Sequence, residues 1–478
     1  MTIATETSKP SSMPADHGGD GVLSARYRAL TLGIVSVVLL LAFEATAVNT
    51  AMPVAARQLH GLGLYAFAFS GYFTSTLFAM VLSGEWCDRR GPVLPLFAGI
   101  GIFAAGLVVA GTAGSMWLFV GGRAIQGLGG GLVIVALYVV VGRAFPERLR
   151  PAVFAAFSAA WVLPSIVGPL VSGLVTQHLG WRWVFLAVPV LVVLPLAVMG
   201  PALRRAEREL PQATTGGTLN RGRIGLAAMA ALGAGLLQYA GQRLDLLGLL
   251  PAAAGCALLL PAVLRLLPHG TLRAARGLPT LILLRGVAAG AFFAAEAFIP
   301  LMMVTQRHLS PTLAGLTLTS GGLSWAFGSW LQGRPGAERH RERLIRIGFL
   351  LTALAIAGAA LVLLPAAPTW TAALAWVFGG VGMGLAIASI SVLMMKLSPP
   401  EAAGANSASL QMSDALGNVL LVGLAGVLFS ALGGGAVAAA DASGAGGGAR
   451  GGFALIFLVM TAVALLGAAL AARVREHA

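Results

Sequence analysis

From about residue 29 onward the chain alternates between long apolar runs and short polar connections rich in arginine. A helix needs about 20 mostly apolar residues to cross the hydrocarbon core of a bilayer. Fourteen segments meet that measure: 29–50, 64–83, 93–112, 116–141, 151–175, 181–200, 222–241, 246–266, 279–304, 311–332, 344–364, 370–395, 402–430 and 452–472. The seventh and eighth are joined by a tight turn, Gly241 to Asp245, and read either as two crossings or as one re-entrant unit. Residues 1–24 are polar and rich in Ser, Pro, Gly and Asp, which predicts a disordered cytoplasmic tail. The first span is not a cleaved signal peptide: it follows that tail, exceeds the usual apolar length, contains Glu44 and has no small-residue cleavage site after it.

Composition points the same way. Of the 478 residues, 58% are hydrophobic and 10% charged, against about 25% charged in soluble domains, so a soluble protein is excluded. The net charge of +14 would suit a nucleic-acid binder, but the basic residues sit in short clusters between apolar runs. Placing the N-terminus in the cytoplasm puts all but seven of the 31 Lys and Arg residues inside. Arg57, Arg182, Arg243, Arg307 and Arg450 fall outside, and Arg123 and Arg285 within spans. That satisfies the positive-inside rule, and an even number of spans returns the C-terminus to the cytoplasm. The charge is a topology signal and requires no nucleic-acid partner. Two cysteines, Cys87 and Cys256, give neither a disulfide nor a metal spacing. The expectation is an all-α, polytopic, non-enzymatic protein of the inner or plasma membrane, monomeric, with no cofactor and no metal.

The connections divide the spans. A charged linker, 201–221, follows the sixth, and a second, 267–278, precedes the ninth. The predicted plan is an N-terminal six-helix bundle over 25–200, two extra membrane helices over 222–266, and a C-terminal six-helix bundle over 279–478. Such a plan fits secondary transporters built from two repeated halves.

Four stretches carry candidate chemistry. Between spans two and three the chain reads Gly84-Glu-Trp-Cys-Asp88-Arg89-Arg90-Gly91, where Gly84 would allow close helix approach and Asp88 and Arg89 could pair to lock a gate. Span four contains Arg123-Ala-Ile-Gln126-Gly127; a charge inside a membrane helix costs several kcal/mol by most scales and calls for a partner. Glu44 and Arg123 both lie roughly 10 Å below the outer surface at 1.5 Å per residue, so they can pair. Span five reads Pro164-Ser-Ile-Val-Gly168-Pro169-Leu-Val-Ser172-Gly173, small residues that favour close packing. Span one continues Glu44-Ala-Thr46-Ala-Val48-Asn49-Thr50-Ala51-Met52-Pro53.

Together these resemble the cytoplasmic-loop, buried-Arg, antiporter-helix and first-helix motifs of the major facilitator superfamily, in its fourteen-helix drug:proton antiporter branch. The stretches Phe298 to Gln306 and Ser310 to Gly315 are similar to the start of that branch's second half. The chain departs from the pattern at Pro92 and Val93, which replace closing basic residues, at Pro164 and Ser172, which replace glycines, and at Glu44, where many members carry Asp. The loop 333–346 is basic but lacks the Gly-Asp-Arg spacing. The resemblance implies a proton-coupled exporter of amphipathic or cationic compounds, working by alternating access with the proton gradient as energy source.

Three carboxylates fall within spans, Glu44, Glu296 and Asp414, and each is a candidate for proton coupling with Arg123. A carboxylate that alternates between wet and dry surroundings, with or without a cation beside it, can act as a proton switch. Phe292, Phe293 and Phe298 flank Glu296 as the wall of a substrate cavity. Asn49, Gln126, Trp161 and Gln411 are further groups expected to face it, and Asp414 stands in the polar stripe Ser409 to Asp414. Gly129 to Gly131 form no phosphate loop, because no Lys follows. Two alternatives remain at this level: the same fold carrying another cargo, such as an amino acid, sugar, lipid or natural product, and a polytopic membrane protein with no transport cycle.

Overall fold

The computed structural model describes residues 21–146, 148–209, 220–242, 246–334, 340–399, 403–432 and 447–474. Residues 1–20 of the predicted tail, residues 210–219 of the linker 201–221 and the glycine-rich stretch 433–446 lie outside them. The described residues form long helices and short turns, with no strand among them. In chain order the helices are α1 Arg28–Gln58, α2 Tyr65–Arg90, α3 Val93–Gly111, α4 Met116–Ala144, α5 Arg150–His178, α6 Arg182–Glu209, α7 Arg221–Gln242, α8 Leu249–Leu266, α9 Leu278–Gln306, α10 Pro311–Gln332, α11 Arg341–Ala360, α12 Trp370–Leu397, α13 Ala403–Ala431 and α14 Gly447–Leu470.

Local chemistry sets several ends. Ser115 and Ser310 accept the amide protons of Leu118 and Leu313 at 3.3 Å, capping α4 and α10, and Pro311 occupies the first turn of α10. Gly91 ends α2 with φ of 77° while its amide bonds back to Cys87 O, a backbone conformation that favours glycine. Some helices outrun their predicted spans. α1 continues through Pro53 to Gln58 because Ala55 and Ala56 still pack into the core. α6 continues to Glu209 through an Arg-, Ala- and Glu-rich turn of strong helix formers.

Among the described residues, thirteen helices are long and apolar enough to cross a membrane. Fourteen crossings were expected, and α10 is the exception by composition: it is long, but Thr312, Thr317, Thr319, Ser320, Ser324 and Ser329 lower its hydropathy. α7 and α8 each pass the test separately. They pack together where Gly233 meets the backbone of Gly255 and Leu259.

Two groups of helices pack internally. In the first, α1 lies on α5 and α6, α3 on α4 and α6, and α2 on α4; in the second, α9 lies on α13, α12 and α14, α10 on α12, and α11 on α12 and α14. The groups meet where α5 crosses α10 and α2 crosses α13, and α7 touches both α2 and α13. One end of the bundle carries Arg28, Arg89, Arg90, Arg143, Arg223, Arg341 and Arg473, and is called here the Arg-rich end.

The cores divide along the same axis. One hydrophobic core joins both groups, its first-group part coming mainly from the end remote from the arginines, such as Met52, Tyr65, Phe119 and Trp181, beside Phe298 and Phe429 of the second group. A second core at the Arg-rich end, including Ile34, Leu96, Val140, Phe145 and Met199, draws its described members from the first group.

Candidate functional site

The first group holds a buried ion pair. Arg123 Nη1 on α4 donates to Glu44 Oε1 on α1 at 2.5 Å and to Gln126 Oε1 one turn along at 2.6 Å. The side chains of Arg123 and Glu44 are 4% and 1% exposed. The guanidinium also lies over the Tyr72 ring of α2, 4.5 Å from its centroid, a favourable cation–π contact. Glu44 Oε2, Arg123 Nε and Gln126 Nε2 are buried without a hydrogen-bond partner. Buried polar groups are normally satisfied, so this network has spare capacity for a proton, a water or a polar ligand group.

A second ion pair lies in the other group and is wetter. Arg285 Nε on α9 donates to Asp414 Oδ2 on α13 at 2.6 Å, with side-chain exposures of 15% and 21%. Asn418 Nδ2 donates to Asp414 Oδ1 at 3.1 Å, and Arg285 also reaches Ser391 Oγ at 3.4 Å. α9 can approach α13 this closely because Gly286 and Gly290 face Ser413 and Gly417. The depth arithmetic that matches Glu44 to Arg123 also serves here: from the helix starts, Arg285 and Asp414 lie about 11 and 17 Å deep, one helical turn apart.

Glu296, the third carboxylate, is half-buried on α9 and its Oε2 has no hydrogen-bond partner. One turn earlier Phe292 stacks on Trp376 of α12, with centroids 4.7 Å apart, and meets Phe293 and Trp325 of α10 edge-on. Phe292 and Trp376 are buried, whereas Phe293 and Trp325 are partly open. Of the phenylalanines expected beside Glu296, Phe292 is thus buried and Phe293 stays partly open next to Trp325. Phe298 turns away to pack on Tyr65, Phe429 and Phe453, because two residues along a helix place it on the far side from Glu296.

The antiporter-like stretch of α5 is a packing surface. Gly168 admits the Thr46 side chain of α1, whose hydroxyl donates to Pro164 O at 3.2 Å. Ser172 Oγ donates to Ala47 O at 2.6 Å. Toward α10, a Cβ on Gly173 would lie 2.5 Å from Thr312 Cα, and Gly315 sits against Thr50 and the Pro169 carbonyl. Ser165 packs on Gly322 near mid-helix. Trp161 shares the helical face of Ser165, Gly168 and Ser172, one turn nearer the Arg-rich end, yet is 43% exposed.

Other contacts between the groups also lie in the remote half. Tyr65 Oη on α2 donates to Ala297 O on α9 at 2.7 Å. Ser430 Oγ on α13 donates to Gly63 O at 3.3 Å.

At the Arg-rich end, the loop motif is open. Asp88, Arg89 and Arg90 are exposed, and Asp88 has no ion-pair partner among the described residues. The expected Asp88–Arg89 lock is not formed. A Cβ on Gly84 would meet nothing within 4 Å, so the close approach expected there is absent. Arg143 of α4 reaches Cys87 O at 3.4 Å. Asn49 is half-buried on α1, and Gln411 is exposed on α13, one turn from Asp414. No cluster of His, Cys, Asp and Glu that could hold a metal occurs among the described residues.

Comparison with known proteins yields consistent matches. The family model described as Major Facilitator Superfamily matches residues 34–422. A protein named "Probable multidrug-efflux transporter" from Mycobacterium tuberculosis (strain ATCC 25618 / H37Rv) is 26% identical over 440 residues, covering 87% of this chain and 91% of that protein. "MFS transporter L2" from Phoma sp. (strain ATCC 20986 / MF5453) is 27% identical over 428 residues, 84% of this chain and 70% of the relative. The multidrug transporter protein MdtP of Bacillus subtilis (strain 168) is 29% identical over 166 residues, 35% of this chain and 30% of its own. Among solved structures, an auto-inhibited POT family peptide transporter superposes with a TM-score of 0.68 at 17% identity, covering 94% of this chain and 98% of the other. At that identity the likeness is one of fold.

Proposed function

Because the chain belongs to the major facilitator superfamily of multi-pass membrane transporters, we propose that it is a proton-coupled antiporter exporting amphipathic or cationic small molecules by alternating access. The moving parts are α1–α6 and α9–α14 as two lobes, with α7 and α8 as the inserted pair. Relatives named as multidrug-efflux transporters align over most of the chain at 26% identity, which supports both the export direction and the cargo class. The N-terminus and the Arg-rich end face the cytoplasm of a cell membrane, as the positive-inside rule requires.

The observation that carries the reading is the Glu44–Arg123 pair with its unsatisfied atoms. A buried pair is expensive to keep and destabilising to break singly. It therefore fits a group that changes partners during a cycle. In the inward-open state Arg123 holds Glu44. When the lobes tilt and water reaches the site from the other side, Glu44 exchanges Arg123 for a proton. The partly open Phe293 and Trp325 faces with Glu296 form the cargo wall, and Asp414, held by Arg285, faces the wetter part of the cavity.

In everted membrane vesicles energised by respiration, a lipophilic cation such as ethidium should accumulate and partly collapse the pH gradient. Glu44→Gln should abolish gradient-driven accumulation while ligand binding to purified protein remains. Accumulation at the unaltered rate in Glu44→Gln would remove the proton role. Failure to move any lipophilic cation would transfer the fold to another cargo.

A further inference from the structure

The extra helix α7 is joined to the two lobes unequally. Near its second end, Gln238 is 6% exposed. Its Oε1 accepts the Ser70 hydroxyl of α2 at 2.7 Å, and its Nε2 donates to Val419 O of α13 at 3.3 Å. One side chain thus takes a partner from each lobe. The neighbourhood is shaped for it: Gly423 of α13 leaves room for the Gln238 side chain, and one helical turn on, Gly241 of α7 packs against Val427 of α13. At the Arg-rich end α7 holds α2. Asn220 N donates to Glu85 Oε2 at 3.0 Å, and Arg223 Nη1 lies 3.6 Å from Glu85 Oε1. α7 is therefore tied to α2 near both of its ends and to the second lobe near one.

We propose that α7, through Gln238, is a clasp that shuts the end of the transporter remote from its arginines, and so sets how often that end opens. The proposal rests on the alternating-access reading above and gives the extra helix a part in it. A buried amide in an apolar helix pair must keep its hydrogen bonds, because no water replaces them in the bilayer interior. Parting α2 from α13 strips Gln238 of one partner, so its two bonds favour the closed end. Gln238 acts on position, since it lies on none of the carboxylates or aromatic faces assigned to proton or cargo.

The test reads the closed end at a distance from α7. Thr50 of α1 is 1% exposed and its side chain packs against Gly315 of α10. In a background of Cys87→Ser and Cys256→Ser, purified Thr50→Cys protein in lipid nanodiscs is labelled with a maleimide. Gln238→Ala and Ser70→Ala should each raise the labelling rate roughly five-fold, the effect of losing one hydrogen bond. Ser70→Thr, which keeps the hydroxyl, should label at the parent rate. Size-exclusion profiles and far-ultraviolet circular dichroism establish that each variant is folded. Gly426→Trp, which drives a bulky ring against Ala66 of α2, opens the same end independently of Gln238. Faster labelling in Gly426→Trp with parent rates in Gln238→Ala and Ser70→Ala would overturn the clasp and leave alternating access standing. Parent rates in all three would overturn both.

Discussion

The Tyr65 hydroxyl of α2 donates to the Ala297 carbonyl of α9 across the two lobes at 2.7 Å, with Tyr65 fully buried. The Phe298 ring lies beside it, centroids 5.5 Å apart. Removing the hydroxyl while keeping the ring isolates one hydrogen bond between the lobes, with a net value of about 1 kcal/mol. Tyr65→Phe should therefore shift the lobes toward the state open at the remote end by a factor of about five. Distance distributions between spin labels placed on the remote ends of α5 and α10 would show this as growth of the longer component. An unchanged distribution would mean that ring packing alone closes that end.

Arg123→Ala leaves the Glu44 carboxylate buried without its cation, which should cost roughly 3–5 kcal/mol. Glu44→Gln combined with Arg123→Gln removes both charges and should recover most of that stability without recovering gradient-driven transport. Thermal unfolding in detergent, followed by tryptophan fluorescence, checks the first statement and vesicle uptake the second. Equal unfolding temperatures for the single and double variants would argue that Glu44 is already neutral in the resting protein.

The wet pair should behave differently. Arg285 and Asp414 retain side-chain exposures of 15% and 21%, so water can replace a lost partner. Asp414→Asn should lower stability by about 1 kcal/mol or less while changing apparent cargo affinity. Measuring unfolding and KM on one preparation separates the two effects, and a large loss of stability with unaltered KM would assign the pair a structural task.

Trp325→Ala removes the ring that meets Phe292 and Phe293. The expected result is a several-fold rise in KM for planar aromatic cations and little change for aliphatic ones, a cation–π and stacking contact being worth about 1 kcal/mol. Comparing ethidium with a tetraalkylammonium ion in the same vesicles makes the distinction. Equal rises for both would point to a collapsed wall.

Much of this architecture is legible from the chain because hydrophobic length is a local property. Each helix core falls inside its predicted span, and the errors fall at ends such as Gln58 and Glu209, where a helix leaves lipid without unwinding. Glu44 and Arg123 can be matched by depth because each stands in an otherwise apolar run. Arg285 and Asp414 are open to the same arithmetic, counted from the starts of α9 and α13. Gln238, by contrast, is illegible. It is an uncharged residue near a helix end, where polar side chains are ordinary, and its importance comes from Ser70 and Val419, 168 and 181 positions away. The exposed Asp88 and the clearance around Gly84 were equally beyond sequence reading, since a motif names a gate without saying which way it stands.

The polarity of α10 has a consequence for how the protein is made. A segment with so many hydroxyls and glycines gains little from lipid by itself, and its small faces are filled by α5 and α12, where Gly321 meets Trp376 and Gly328 meets Val381. During synthesis α5 precedes it but α12 emerges two segments later. α10 should therefore wait at the translocation machinery until α12 arrives, and nascent chains halted before Trp370 should leave it incompletely embedded, detectable by glycosylation mapping.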